Sequence, residues 1–318
     1  MVTSFTNIID AVNTTFMIIL VISVVLLVLI TFLMVLFVIR YSRKRNPIPS
    51  QVESHALLEI TWTVIPTLLV LGMFYYGWIG YKLMRNVPEG AMEVKAVAQM
   101  WSWQFEYENG KQSSDLYVPV NQPVKVLLES RDVLHSFYVP AYMVKQDVVP
   151  GMESYVWFNA VDTGTFDIFC AEYCGQRHSY MLAQVVAVPR EEFDTWLQEG
   201  VEALEELPEG DVSEEEQLAR LQRIGKRLSQ LKGCAACHTT DGTKLVGPTY
   251  KELFGKTETV ITDGEARQVV VDEEYVRRSI LNPNADVVEG YQPLMPSQEG
   301  WISDEEITAL VEYIKTIK

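Results

Sequence analysis

Cys170-Ala-Glu-Tyr-Cys-Gly-Gln-Arg-His-Ser-Tyr-Met181 is the stretch that decides the fold of the middle of this chain. It places two thiols, one imidazole and one thioether on a single loop, directly after a segment whose β-branched and aromatic residues predict a strand. Sulfur and imidazole ligands together favour copper or zinc. Because a mononuclear blue-copper site uses one cysteine, two thiolates on one loop indicate a site in which sulfur bridges two metal ions.

A second imidazole has to come from another loop, and His135 is the other histidine in this part of the chain. The residues alone leave three alternatives open. Cys170 and Cys174 would form a disulfide in an oxidising compartment, the two cysteines and two histidines would suffice for a structural zinc site, or His135 is an ordinary core residue. Met181 weighs against zinc, because such a site does not need a thioether.

Short alternating segments surround this loop. Segments rich in β-branched and aromatic residues are separated by Asn-Gly, Pro-Gly and Thr-Gly pairs. They predict strands at Met92–Gln99, Trp101–Glu108, Val124–Glu129, Leu134–Val139, Ser154–Asn159, Thr165–Phe169 and Ala183–Val188. This pattern predicts a β-sandwich or a Greek-key barrel. With its metal-ligand loop, we expect a cupredoxin-like domain over residues 89–190.

Two long apolar stretches precede that domain. Residues 16–39 carry no charged side chain, and residues 60–84 carry only Lys82. Since about 20 apolar residues span a bilayer core, they predict a transmembrane hairpin of two helices within residues 1–88. The segment between them, Arg40–Arg45, is basic, so the positive-inside rule places it in the cytoplasm and the N-terminus and the rest of the chain outside.

The other two cysteines lie in Cys234-Ala-Ala-Cys237-His238, which has the C-x-x-C-H spacing of covalent c-type haem attachment. Both thiols would form thioethers with the haem vinyl groups, and His238 would ligate the iron. After His238 the chain has no further histidine and a single methionine, Met295, which is therefore the expected sixth ligand. The alternatives for Met295 are a core methionine or a haem with an open position.

Helical, acidic patterns dominate after the predicted sandwich. Residues 191–212 predict a helical and acidic linker, and Ser213 opens a capping-box pattern that starts a new helix. Further helices are expected near residues 272–281 and from Ser303 to the C-terminus. With the haem motif, residues 213–318 resemble a class I cytochrome c, and we expect this domain to be all-α, without strands.

The chain has a formal net charge of −16, most of it in residues 86–212. So acidic a domain repels nucleic acid and anionic membrane, and it attracts cationic partners at long range. Solubility alone is the simpler reason for such a charge. We expect no nucleic-acid partner, and contact with lipid only through the two apolar stretches.

The metal loop resembles the binuclear copper (CuA) loop of cytochrome c oxidase subunit II. The resemblance extends to D-V-L-H-S-F-Y-V-P-A-Y-M-V-K-Q-D-V-V-P-G (132–151), to M-W-S-W-Q-F-E-Y (100–107) and to L-E-I-T-W-T-V-I-P (58–66). It covers nearly all of residues 15–190. With the cytochrome region added, the chain resembles the fused subunit II of caa-type haem–copper oxidases.

This resemblance implies roles for individual residues. The implied copper ligands are His135, Cys170, Cys174, His178, Met181 and the backbone carbonyl of Glu172. The Glu172 side chain would also reach a magnesium ion shared with the catalytic subunit. Trp101 would be the point where electrons enter, and Glu59 would lie near the mouth of a proton channel in the partner subunit.

The function that the resemblance implies is electron entry into a terminal oxidase of a prokaryotic plasma membrane. Electrons would pass from an external donor, a cytochrome c or a similar small redox protein, through haem c and the copper pair to subunit I, where oxygen is reduced to water. Other oxidase subunits are further expected partners, and the chain alone is not expected to be catalytic. The alternatives are the small subunit of a CuA-containing nitric oxide reductase and a stand-alone membrane electron carrier. A quinol oxidase subunit is rejected, because that family has lost the copper ligands.

Overall fold

The structure is a computed structural model that describes residues 8–48, 51, 54–199 and 213–318. The chain divides into two compact units, Met1–Glu89 and Gly90–Lys318. The first unit contains two helices, α1 (Ile8–Arg40) and α2 (Ala56–Arg85). Both are long and apolar enough to cross a membrane, and they contain the two predicted apolar stretches.

Small residues bring the two helices of this unit together. A Cβ built on Gly80 of α2 would lie 3.8 Å from the Cβ of Ala11 in α1, and Ala11 is fully buried. Most large apolar side chains of both helices are exposed. Continuous exposed apolar surface of this kind is suited to contact with lipid or with a partner protein.

The second unit begins with a sandwich of two five-stranded sheets. The strands are β1 (Met92–Gln99), β2 (Ser102–Tyr107), β3 (Gln112–Ser113), β4 (Leu116–Pro119), β5 (Pro123–Ser130), β6 (His135–Val139), β7 (Val144–Val148), β8 (Ser154–Asn159), β9 (Gly164–Cys170) and β10 (Leu182–Val188). Their orders in the two sheets are β3-β2-β1-β5-β8 and β4-β10-β9-β6-β7. β1 pairs with β5 and β4 with β10 in parallel, and the other pairs of the sandwich are antiparallel.

Along the strands, buried side chains alternate with less buried ones, most regularly in β5. The buried side chains pack between the two sheets. Between the sheets, the rings of Trp103 and Phe137 meet edge to face at 5.4 Å, and Phe105 lies 6.4 Å from Phe137. Such aromatic pairs add to the free energy of apolar burial. The predicted strands are present, but β3, β4 and β7 were not predicted. All three are edge strands, which bury less surface and carry a weaker pattern.

The helix α3 (Arg190–Gln198) packs on this sandwich. Trp196 stacks on Tyr117 with ring centroids 4.1 Å apart, and its carbonyl accepts a hydrogen bond from the Lys111 ammonium. Phe193 is buried beside Tyr107. The predicted linker therefore starts with a packed helix, and its residues 200–212 lie outside the described residues.

The remaining segment folds around three helices, α4 (Glu214–Leu231), α5 (Glu273–Leu281) and α6 (Asp304–Lys315). The Ser213 hydroxyl accepts a hydrogen bond from the Glu216 N–H, and Ser303 forms the predicted capping box with Glu306. Both predicted helix starts are thus confirmed.

The expectation that residues 213–318 lack strands is wrong. They contain a three-stranded antiparallel sheet of β11 (Thr257–Thr262), β12 (Glu265–Val270) and β13 (Val287–Val288). The turn between β11 and β12 is Asp263-Gly264, and both residues have positive φ, 52° and 87°. An Asp-Gly pair between alternating segments is a strong hairpin signal, so the sequence contained the information.

The crossing of α4 and α6 generates a prediction about stability. A Cβ on Gly225 would collide with the carbonyl oxygen of Ala309 and lie 2.7 Å from the Cβ of Tyr313. Gly225→Ala should therefore destabilise this domain by about 1–3 kcal/mol, although alanine favours helix by about 1 kcal/mol over glycine. The urea midpoint of the full chain, followed by circular dichroism, measures this. The exposed neighbour Lys226→Ala should leave the midpoint unchanged, and a Gly225→Ala protein that is more stable would contradict the close crossing.

Candidate copper and haem sites

Three neighbouring strands bring the predicted copper ligands to one end of the sandwich. β6 begins at His135, β9 ends at Cys170, and β10 starts directly after Met181. The pairing Phe137↔Cys170 joins β6 to β9. Hydrogen bonds from the Cys170 N–H to the Met181 carbonyl (3.2 Å) and from the Ala171 N–H to the Ser136 carbonyl (2.9 Å) hold the two ends of the loop.

The two thiols form the centre of this site. The Sγ atoms of Cys170 and Cys174 lie 3.7 Å apart, and both cysteines are free and buried. Two thiolates bound to one tetrahedral metal at about 2.3 Å would lie about 3.8 Å apart. The spacing therefore fits two thiolates that bind the same metal ion.

Imidazole nitrogens lie beside both thiols. The Nδ1 atom of His135 is 3.8 Å from the Cys170 Sγ, and that of His178 is 3.5 Å from the Cys174 Sγ. The ligand atoms of His135 and both cysteines all lie within 4.8 Å of one another. The structure thus brings the histidine from the distant loop to the two cysteines, as predicted.

Weaker donors complete the cluster. The Met181 Sδ is 3.9 Å from the Cys174 Sγ, and Met181 is fully buried. The backbone carbonyl of Glu172 is 3.2 Å from the Cys170 Sγ. A set of two thiolates, two imidazoles, one thioether and one carbonyl is soft enough for copper.

Asp132 is a residue of the site that sequence reasoning missed. Its Oδ1 lies 2.8 Å from the His135 Nε2, and its Oδ2 accepts the Met100 N–H at 2.7 Å. A carboxylate on the outer imidazole nitrogen orients the ring and leaves Nδ1 free for a metal. Burial opposes the charged forms, but the hydrogen bond between them raises the pKa of His135 and lowers that of Asp132. The D-x-x-H spacing of Asp132 and His135 was the sequence signal for this pair.

A hydrogen bond between the two thiols moves their pKa values in opposite directions. The bond from Cys174 lowers the pKa of Cys170, and burial opposes it. The same hydrogen bond, followed by burial, raises the pKa of Cys174. A metal that binds both sulfurs as thiolates would displace their protons.

Trp101 lies directly against the site and is buried, with 4% of its surface exposed. Its indole N–H donates a hydrogen bond of 3.0 Å to the Cys174 carbonyl. The sequence did not show which face this ring takes. The structure connects the ring to the backbone of a predicted ligand.

A separate crevice collects the four residues predicted to hold haem. Its lining is mostly apolar and includes Cys234, Cys237, His238 and Met295. Met295 is half-buried and packs against the hydrophobic core of the cytochrome domain. The structure thus places the predicted sixth ligand and the C-x-x-C-H motif on one cavity.

The His238 ring is held in a defined orientation. Its Nδ1 lies 2.7 Å from the Pro248 carbonyl, and its ring stacks on Tyr250 with centroids 4.8 Å apart. A Cβ on Gly247 would lie 2.6 Å from this ring. Burial lowers the pKa of His238 in spite of the bond to Pro248. A neutral imidazole whose Nδ1–H is donated leaves Nε2 for iron.

The two thiols of this crevice differ from the copper thiols. Burial raises the pKa of Cys234 and Cys237 to about 11. They therefore remain thiols near neutral pH, and an S–H group adding across a vinyl group gives the thioether that covalent attachment requires. The residues present fit a c-type haem.

Glu59 and Glu172 are the two predicted carboxylates. Glu59 is exposed in the first turn of α2, where its carboxylate accepts a hydrogen bond from the His55 N–H at 3.4 Å. The Glu172 residue is partly buried in the copper loop. Glu59 belongs to the N-terminal unit, Met1–Glu89, and Glu172 to the second unit.

A sandwich that gathers thiols and imidazoles at one end, joined to a domain whose crevice contains a C-x-x-C-H motif, is typical of an electron-transfer protein. Three family models match in the same order along the chain. They are the transmembrane domain of cytochrome c oxidase subunit II over residues 2–76, its periplasmic domain over residues 111–188, and cytochrome c over residues 222–318.

Two curated relatives match most of the length of this chain. Cytochrome c oxidase subunit 2 of Alkalihalophilus pseudofirmus is 31% identical, over 89% of this chain and 81% of that protein. The subunit 2 of Bacillus sp. PS3 is 29% identical, over 88% of this chain and 79% of that protein. A solved periplasmic domain of subunit II of cytochrome oxidase from Bradyrhizobium japonicum is 31% identical, with a TM-score of 0.35, and covers 37% of this chain and 98% of that chain.

The chain therefore belongs to the cytochrome c oxidase subunit 2 family, with a C-terminal cytochrome c domain. The predicted resemblance and fold class are confirmed, apart from the small sheet in the cytochrome domain. Membership implies a membrane-anchored subunit that takes part in electron transfer in an oxidase. It also implies CuA copper and haem c.

The bond between Asp132 and His135 generates a prediction about metal affinity. Asp132→Asn should keep the fold but weaken copper binding by about 10–100-fold, because the outer partner of a metal-ligating histidine is lost. Copper retained by the full chain against a competing chelator measures this. Asp162→Asn, at an exposed loop position, is the matched control. Equal copper retention by both variants would show that the carboxylate does not orient the ligand.

Proposed function

We propose that this chain is the electron-entry subunit of a terminal cytochrome c oxidase. It passes electrons from an external donor, through haem c and then CuA, to a haem–copper catalytic subunit that reduces oxygen to water. The observation that carries this proposal is the position of the haem crevice. Gln99 and Met100, which directly precede Trp101, line the crevice together with Cys234 and His238.

When bound, copper and haem c supply one-electron redox chemistry, and the side chains of this chain position and tune them. The copper site is proposed to hold two ions. His135, Cys170, Cys174, His178, Met181 and the Glu172 carbonyl would hold these ions, since an imidazole lies beside each thiol and the two weaker donors lie next to them. The proposed haem ligands are His238 and Met295, with thioethers from Cys234 and Cys237.

Trp101 is the proposed link between the two sites. Its indole bonds the carbonyl of Cys174, and the preceding residue lines the haem crevice. This arrangement supports electron passage from the crevice to the copper ligands through Trp101. We also propose that both cofactor domains lie on the extracytoplasmic side of a prokaryotic plasma membrane, and the basic Arg40–Arg45 segment supports this orientation.

Partners of the complex follow from the family. We propose subunit I and other oxidase subunits as stable partners and a cytochrome c or similar small redox protein as donor. The Glu172 side chain is proposed to reach a shared magnesium ion, and Glu59 to lie at the entrance of a proton channel in subunit I. The proposed domains are residues 1–88, 89–190, 191–212 and 213–318, as anchor, copper domain, linker and cytochrome domain.

The purified native complex tests this function. It should contain a many-helix haem–copper subunit, two copper ions and one covalent haem for this chain, and it should reduce oxygen with reduced cytochrome c. Reduction of nitric oxide without oxygen reduction would instead identify a nitric oxide reductase subunit. Purification without any partner would identify a stand-alone carrier, and zinc in the sandwich would refute the copper site.

Replacement of the proposed axial methionine tests the haem ligands. Met295→Ala should abolish the sulfur-to-iron charge-transfer band of the oxidised haem and lower its reduction potential, because His/Met ligation raises that potential. Absorption spectroscopy of the full chain checks this. The exposed Met152, with 59% of its surface accessible, provides the control Met152→Ala. A persistent band in Met295→Ala would show that another group ligates the iron.

A further inference from the structure

The copper loop and the haem-attachment motif contact each other directly. Arg177, which precedes the predicted ligand His178, donates a hydrogen bond to the backbone carbonyl of Ala236. Ala236 lies between the two cysteines of the haem motif. The guanidinium also lies 5.0 Å from the ring of Tyr180, which helps to hold its direction.

A second contact is formed where β1 ends and β2 begins. The Gln99 side chain, in a residue that is 4% exposed, donates a hydrogen bond of 2.7 Å to the Lys232 carbonyl. Gly233 has φ +74°, and a Cβ there would lie 3.1 Å from the Cβ of Ser102 and collide with its hydroxyl. The cytochrome domain thus approaches this corner so closely that only a glycine fits.

A third contact involves the loop that carries Met295. The Arg131 guanidinium donates to the Ser297 carbonyl and to Gln298 Oε1, both at 3.1 Å. It also donates to Gln99 Oε1 at 2.6 Å and lies 4.3 Å from the ring of Trp301. One cation of the copper domain therefore joins the second contact to the loop of the proposed axial ligand.

The chemistry of these contacts is unusual for two acidic domains. Like net charges repel at long range, so attraction between the domains has to come from short contacts. The acceptors of Gln99, Arg131 and Arg177 across the boundary are backbone carbonyls and an amide oxygen. Contacts of this kind are at hydrogen-bond distance and partly buried, so salt screens them weakly.

We propose that Gln99–Ser102, Arg131 and Arg177 form a docking surface for the chain's own cytochrome domain, which covers the entry to the copper site at Trp101. An external donor then reaches copper only through the cytochrome domain, and docking is insensitive to salt. This inference rests on the proposed function and adds the residues that hold the two sites together.

A large side chain at Ser102, where the two domains are closest, tests the docking surface in the full chain. Ser102→Phe should displace Gly233, whereas Ser102→Ala removes only the hydroxyl and is the matched control. Hydroxyl-radical labelling of Met100 and Trp101, measured by mass spectrometry, should rise severalfold in Ser102→Phe and stay at the wild-type level in Ser102→Ala. Arg177→Gln should shift labelling in the same direction, with Arg177→Lys closer to wild type.

Electron transfer after photoreduction gives the second measurement. The wild-type rate from haem to copper should change by less than about twofold between about 0.01 M and 1 M salt. In Ser102→Phe it should fall by about tenfold or more, because small displacements of reacting partners are costly, while the copper and haem spectra stay unchanged. Wild-type labelling and rates in both Ser102→Phe and Arg177→Gln, or a steep fall of the wild-type rate with salt, would overturn the docking surface. Absence of transfer in the wild type at every salt concentration would instead refute the proposed function.

Discussion

The register that joins β6, β9 and β10 is the constraint on which the copper-binding end depends. It sets His135, Cys170 and Met181 side by side although they are distant in sequence. A slip of one residue would turn every side chain of a strand to the opposite face. The buried aromatic residues between the sheets oppose such a slip, because their exposure would lose most of the core. The proposed metal ligands are therefore positioned by the packing of the sandwich.

The two described histidine sites show how one side chain serves two purposes. His135 has the ionised Asp132 on its outer nitrogen, whereas His238 has the neutral carbonyl of Pro248. Burial lowers the pKa of both histidines, but the bond to Asp132 outweighs it, so the pKa of His135 is raised, whereas the bond to Pro248 does not, so the pKa of His238 is lowered. In both sites the bond on the outer nitrogen fixes the ring and leaves the other nitrogen for a metal. The hydrogen-bond partner of each ring therefore determines whether the effect of burial on the histidine pKa is reversed.

The cytochrome domain is held against the copper domain by short hydrogen bonds, and not by opposite net charges. Cations of the copper domain point at carbonyl groups of the haem motif and of the Met295 loop. The same corner lies beside Trp101, whose indole bonds the backbone of Cys174. The residues proposed for docking, haem ligation and copper ligation thus lie next to one another.

The sequence by itself determined what depends on local spacing. The ligand loop, the C-x-x-C-H motif, the caps at Ser213 and Ser303, the apolar helices and the central strands are patterns over a few residues, and the local chemistry of the chain is sufficient for them. The Asp263-Gly264 turn is also a local pattern, although the hairpin that it forms was not predicted. Only the tertiary structure decided that Asp132 holds His135, that Trp101 is buried, and that Arg131 reaches Gln298. These contacts join residues that are brought together by the packing of sheets and domains. A pattern over a few residues does not show which distant parts of the chain will be in contact.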